Sequence, residues 1–168
     1  MATHVIVMGV SGVGKSTVAE LLARRLGVPF AEADEFHPPA NVEKMRGGVP
    51  LDDGDRLPWL TDIAAWIRAR DAEGVSSVVA CSALKRKYRD ILRSGAPTVF
   101  FAYLAGSEEL IGARMAARKG HFFPPALLSS QFRDLEPLEP DEPGTTLDVA
   151  EPPELIVDRL TPLVTAAG

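Results

Sequence analysis

An α/β fold, with a five-stranded parallel sheet between two layers of helices, is predicted by three observations on this sequence. Short apolar runs alternate with helix-period segments along the 168 residues. The first run leads straight into a glycine-rich loop and then a helix, as strands do at the carboxyl edge of a parallel sheet. The run at 98–104 is almost wholly apolar, as a strand covered on both faces should be.

The first strand is read at 5–8. It enters Gly9-Val10-Ser11-Gly12-Val13-Gly14-Lys15-Ser16, a G-x-x-x-x-G-K-[ST] loop, with Thr17 next. The glycines let the backbone curl so that successive N–H groups point inward at phosphates. Lys15 reaches the outer phosphates as a point charge, and the Ser16 hydroxyl is placed to ligate Mg²⁺. A helix over 15–26 carries Val18, Leu21, Leu22 and Leu26 on one face, and Gly27 stops it. Its positive dipole end faces the same anion. The expected ligand is a nucleoside triphosphate.

The second strand is expected at 28–31, followed by Glu32-Ala33-Asp34. Residues 34–58 are rich in Asp, Gly and Pro, with a short helix from Asn41. In a helix over 59–73, Leu60, Ile63, Ala64 and Ile67 form a core stripe, and Gly74 ends it. Trp59 and Trp66 on that helix read as core or interface. A third strand follows at 75–81, a helix at 85–94, the fourth strand at 98–104 and a helix at 107–119. Residues 119–144 break the alternation, with a short helix at 126–135 and a proline cluster over 137–144 read as a stiff solvated connector. A fifth strand at 145–149 and a helix near 153–165 complete the pattern. Long irregular segments in a compact domain are functional lids or binding loops more often than not.

A single domain over 1–168 is expected from the length. The net charge of −5 argues against nucleic acid as a partner, since such proteins carry a basic footprint. Cys81 is the only cysteine, which excludes an intrachain disulfide and suits a reducing cytoplasm. The apolar stretch at 5–10 is too short to span a membrane or to serve as a signal peptide. His4, His37 and His121 lie far apart, with no zinc-site spacing.

A phosphate loop serves motors, switches and kinases alike. A guanine-nucleotide switch needs Asn-Lys-x-Asp, yet the only asparagine, Asn41, precedes Val42. The most apolar later strands end in Cys81-Ser82 and Leu104-Ala105, without the Mg²⁺-associated Asp of many ATPases. The acidic group follows the second strand instead, which suits a small kinase with Asp34 at the acceptor hydroxyl.

Further blocks carry a family resemblance. Asp34-x-x-His37-Pro38, Asn41-x-x-Lys44-Met45, Pro50-Leu51-x-Asp53-x-Asp55-Arg56-x-Pro58-Trp59-Leu60 and Cys81-Ser82-Ala83-Leu84-Lys85 resemble the gluconokinases. So do Tyr88-Arg89-Asp90, Lys119-Gly120-His121-Phe122 and Ser130-Gln131-Phe132, in order and from Val5 to about Val149. The family often has Asp where this chain has Glu32. The resemblance implies a three-layer P-loop kinase fold with a mobile lid, related to shikimate kinase. It implies ATP and Mg²⁺ as cofactors, phosphorylation of D-gluconate at its 6-hydroxyl, and a cytoplasmic homodimer. Residues 34–58 become the acceptor-binding region and 114–135 the lid region.

Under that resemblance Asp34 orients or deprotonates the 6-hydroxyl and reaches Mg²⁺ through water; the alternative is a loop cap. A linear polyol ending in a carboxylate needs a cation at one end. Arg56 can clamp a carboxylate bidentately, with an ion pair to Asp53 or Asp55 as its alternative role. Lys85 and Arg89, four apart after the third strand, are further acceptor candidates, or part of a solvated basic face. His37 is read either as a donor to a substrate hydroxyl or as a loop residue, and His121 joins the acceptor set. Arg114 and Arg118, also four apart, are read as lid arginines approaching ATP, or as complements to the helix dipole. Pro152 and its neighbours take the adenine position of related kinases. A shikimate kinase usually shows a glycine triplet where this chain has Cys81-Ser82-Ala83. A nucleotide kinase is a second rival within the same fold, and a nucleotide-binding switch is a rival from a different class.

Overall fold

Strand β1 (His4–Met8) is buried along its whole length, and the sheet is built outward from it. The computed structural model describes residues 2–117 and 125–167. β1 pairs in parallel with β3 (Ser77–Ala80) on one side and β4 (Val99–Ala105) on the other, with Val5 opposite both Val78 and Phe100. β2 (Phe30–Glu32) lies beyond β3 and β5 (Gly144–Asp148) beyond β4, so the order is β2-β3-β1-β4-β5 and every pairing is parallel.

The period-2 alternation of these strands divides the core in two. Val5, Val7, Val78, Ala80 and Leu104 pack with Val18 and Leu22 of α1 (Lys15–Leu26) and Ile156 and Leu160 of α7 (Pro153–Ala167). On the opposite face, Ile6, Met8, Val79 and Phe101 pack with Leu60, Ile63 and Ile67 of α3 (Asp53–Ala72) and Leu92 of α4 (Arg86–Arg93). Slipping β1 by one residue would exchange the two sets, so the buried side chains lock the register.

Element identities match the expectations from sequence, with strand ends shifted by one or two residues. The largest difference is α3, which begins at Asp53 and not near 59. The Asp52 side chain accepts from the Asp55 N–H at 2.7 Å, and the Asp55 carboxylate accepts from the Asp52 N–H at 3.1 Å. This reciprocal cap starts the helix ahead of Pro58, which costs only one backbone bond inside it. Short helix α2 (Pro39–Arg46) likewise begins before Asn41. α5 (Glu108–Ala117) and α6 (Pro125–Asp134) overlap the 114–135 segment at 114–117 and 125–134.

The proline-rich segment after α6 is not a solvated connector. The Glu136 N–H donates to the Leu84 carbonyl at 2.7 Å, and the Arg86 guanidinium pairs with Glu139 and with Asp141. Arg89 and Glu142 form a buried ion pair, with Nε to Oε2 at 2.7 Å and Nη2 to Oε1 at 2.9 Å. The segment is thus a strap fastened along α4. Burial alone would raise the Glu142 carboxyl, but hydrogen bonds from Arg89 and the Glu139 amide, with the nearby Arg89 charge, hold it below its ordinary value.

The pair sets a stability test. Glu142→Ala leaves the Arg89 guanidinium buried without a counter-charge, at a cost of about 3–5 kcal/mol in urea unfolding. Replacing both, as Arg89→Met with Glu142→Leu, should cost far less. Because folding lowers the Glu142 pKa, its contribution is complete above the unfolded carboxylate value of about 4.3. It is lost as pH falls through the lower folded value. Equal losses for the single and double variants would show that charge burial is not what the pair manages.

Candidate active site

The glycine-rich loop leaves β1 between its two neighbours. Gly9 has φ 148°, and a Cβ there would stand 2.8 Å from the Leu104 carbonyl oxygen, so only glycine lets the chain pass β4 this closely. The Gly9 N–H donates to Ser82 just beyond β3 at 3.2 Å. Gly14, in the left-handed region at φ 91°, turns the chain into α1 with Val10 and Val13 buried beneath it. Gly12, Gly14 and the first turn of α1 with Ser16 and Thr17 therefore stand at the carboxyl end of the sheet, where anions bind in parallel α/β folds.

Lys15 Nζ donates to the carbonyls of Gly9 at 3.0 Å and Val10 at 3.1 Å. Burial lowers its pKa, opposed by the charges of Asp34, Cys81 and Glu32. The Ser16 hydroxyl donates to Glu32 Oε2 at 2.5 Å, and burial raises the Glu32 carboxyl. A hydroxyl and a carboxylate meet here beside Asp34, whose charge acts on both Lys15 and Glu32. Such hard oxygen donors fit Mg²⁺. Cys81 lies buried behind them with its thiol pushed up to about 12 by burial, and it takes no ionised role.

Asp34 stands exposed in the 3-10 turn Ala33–Phe36 that follows β2. His37, next in the chain, stacks on Trp59 with ring centroids 4.2 Å apart. The Asn41 amide donates to His37 Nδ1 at 3.2 Å and to the Asp55 carbonyl at 2.8 Å. Nδ1 is thus the acceptor, and Nε2 carries the proton as a donor. Burial lowers the His37 pKa, with the Asp34 charge raising it and the Arg56 charge lowering it. Trp59 is core, as expected, and its Nε1 donates to the Ala33 carbonyl at 2.7 Å, fixing the turn that carries Asp34.

Arg56 makes neither of the ion pairs considered for it. Asp55 pairs with Lys44 at 2.9 Å, while Asp53 turns to Lys85, Lys87 and Tyr88. Arg56 Nη1 donates to the Tyr88 hydroxyl at 2.7 Å, with its guanidinium carbon 5.3 Å from that ring. Lys85, the N-cap of α4, places its amine 5.7 Å from the same ring.

Arg89 is the correction. Expected at the cleft, it is fully buried, and all five of its N–H groups are used. They serve Glu142 and the carbonyls of Ala83, Leu84 and Pro137, which leaves none for a ligand. Helical spacing from Lys85 did put Arg89 on a defined side of α4, but that side faces the strap.

Arg114 lines a cleft with Val13, Val18, Val149, Pro152 and Ile156, beside the phosphate loop and the segment after β5. Arg118 and His121 lie outside the described residues. Sequence reasoning assigned no role to Gln131, which clasps the loop twice: the Ser11 N–H donates to Oε1 at 2.7 Å, and Nε2 donates to Ser11 Oγ at 3.0 Å. Gln131, Asn41 and Tyr88 each stood within a recognised block, the only signal that pointed to them.

The sequence profile described as shikimate kinase matches residues 11–122. A gluconokinase of Gluconobacter oxydans is 45% identical over 92% of this chain and 87% of its own. The solved structure of an unliganded sugar kinase from Janibacter superposes with TM-score 0.92 at 50% identity, covering 100% of this chain and 99% of that one. A gluconokinase structure from Sinorhizobium meliloti gives 0.89 at 44%, covering 98% and 92%.

Lys15 tests the phosphate site directly. Among the described residues its amine serves only the loop's own carbonyls, so Lys15→Ala should fold with a melting temperature within a few degrees of the parent. Titration calorimetry should show ATP affinity falling by more than about tenfold, the loss of one charge-assisted contact or more. Undiminished affinity would remove the phosphates from this loop.

Proposed function

The chain belongs to the gluconokinase family and phosphorylates gluconate with ATP; we propose that it does so at the 6-hydroxyl, with the residues above in the following roles. The triphosphate lies in the loop from Gly9 to Thr17, with adenine in the cleft formed by Val149, Pro152 and Ile156. Lys15 and Arg114 supply positive charge to the transferring phosphoryl, joined by Arg118 of the lid region. Ser16 and Glu32 would hold Mg²⁺, which would supply positive charge against the phosphates.

Phosphoryl transfer asks the protein mainly for positioning and charge neutralisation. Asp34 accepts the proton of the gluconate 6-hydroxyl as that oxygen bonds to the γ-phosphorus and ADP departs. His37 Nε2–H donates to a neighbouring hydroxyl of the chain. Arg56 and Lys85 take the carboxylate at the far end. His37 stands three residues after Asp34 and stacks on Trp59, one turn of α3 beyond Arg56, so one linear acceptor can run past all three.

The observation that carries this reading is the state of Arg56. Among the described residues its guanidinium meets no carboxylate, whereas nearby Lys44 and Arg86 are each neutralised. A cation held open beside a hydroxyl-directed Asp suits an acceptor with an alcohol at one end and a carboxylate at the other. Glu32 and Ser16 in contact support the metal role. Among the described residues no helix is long and apolar enough to cross a membrane. Cytoplasmic residence fits the lone buried thiol. A homodimer could use the exposed Leu155 and Leu163 of α7.

With ATP and Mg²⁺, the protein should convert D-gluconate to 6-phospho-D-gluconate, the position being read by phosphorus–carbon coupling. Asp34→Asn, nearly isosteric but a poor base, should lower kcat about 10²-fold or more with ATP binding retained. Arg56→Met should raise the KM for gluconate and leave the KM for ATP in place. A fully active Asp34→Asn enzyme would make that residue structural. Turnover of shikimate or a nucleoside monophosphate in place of gluconate would overturn the acceptor.

A further inference from the structure

The corner around Tyr88 already holds a carboxylate. Asp53, first residue of α3, places Oδ1 2.5 Å from the Tyr88 hydroxyl and 3.6 Å from Lys85 Nζ, while Oδ2 meets Lys87 Nζ. Arg56 sits one helical turn on and donates to the same hydroxyl from its other side. Two lysines and a phenol thus hold one acidic side chain that is itself 48% exposed, with Arg56 joined to it through the phenol. We propose that Asp53 is an internal stand-in for the acceptor's carboxylate, occupying the Tyr88–Lys85 corner until the acceptor displaces it. The proposal rests on the reading that Arg56 and Lys85 bind that carboxylate.

The chemistry follows from how many protons the corner offers. The Tyr88 hydroxyl has a single proton, directed at Asp53, and its lone pair is taken by Arg56. An incoming carboxylate can use that proton and Lys85 only if Asp53 releases them, since two anions at one hydroxyl repel. Release costs little. Solvent screens so exposed a pair, and Lys87, on the opposite oxygen, can keep Asp53 as it turns outward. A neutral polyol carries no charge with which to displace it. Asp53 thereby makes the corner answer to acids and keeps the cluster neutralised between turnovers.

This role predicts a gain on mutation. Asp53→Asn removes the competing charge with almost no change of shape, so the KM for gluconate should fall about 1.4- to fivefold, the ratio expected of an exposed ion pair. Inhibition by acetate, competitive with gluconate and measured at fixed ionic strength, should strengthen by a similar factor. The KM for ATP serves as the control that the change is confined to the acceptor corner. Asp53 also starts α3, so melting curves accompany the kinetics. If the Asn variant does not fold, Asp53→Ser provides the same loss of charge with a residue suited to a helix start. A gluconate KM that is unchanged or raised, in a preparation whose parent turns gluconate over, overturns the stand-in and leaves the acceptor assignment in place. A parent inactive on gluconate overturns both.

Discussion

The buried pair between Arg89 and Glu142 is the joint on which the corner around Tyr88 depends. One guanidinium ties together the turn after β3, helix α4 and the strap that leads into β5. Tyr88, Lys85 and Lys87 sit on or beside the first turn of that helix, so their places around Asp53 and Arg56 inherit its position. A buried charge pair is a weak source of net stability. Its value here is geometric: five fixed donors in a planar fork define where three chain segments must meet. Ala83, at φ 44°, is the one non-glycine residue among those described in the left-handed region, and its carbonyl is one of the acceptors. The strain of that conformation is held by the bonds it makes possible.

The nucleotide half is built on a different principle. Its parts are close in sequence, and the sheet needs only to present them. β1 delivers the loop, α1 continues it, and β2 beyond β3 brings Glu32 back to Ser16. The two halves meet along the 33–37 turn, where Trp59 fixes Ala33 and stacks on His37. One tryptophan thus sets both the turn that carries Asp34 and the tautomer-locked imidazole beside it.

What was legible in the sequence divides along the same line. The phosphate loop could be read because its chemistry is local: eight consecutive residues specify backbone shape, charge and metal ligand together. The sheet could be read because parallel strands buried on both faces lose their polar alternation. The start of α3 was legible in principle, since Asp52 and Asp55 have capping-box spacing, but Pro58 drew the boundary too late. Arg89 was misplaced because its partner lies 53 residues away, and helical spacing says which side a residue faces without saying what stands there. The clasp of Gln131 on Ser11 spans 120 residues, a separation at which one sequence carries no contact information. Glu32 departs from the family pattern, yet its longer side chain still reaches the Ser16 hydroxyl.

The strand order also dictates when the molecule can form as the ribosome makes it. β1 has no neighbour until β3 exists, and β2 pairs only with β3, so no ladder can close before residue 80 has emerged. At roughly 5–20 residues per second, β1 waits roughly 4–14 s with its hydrogen-bonding edges open. His4–Met8 is meanwhile an apolar segment of strand-forming residues, the kind that seeks other chains. The cleft beside the loop comes later still, because Val149 and Pro152 line it. The strand that organises the finished protein is the one that synthesis leaves exposed the longest.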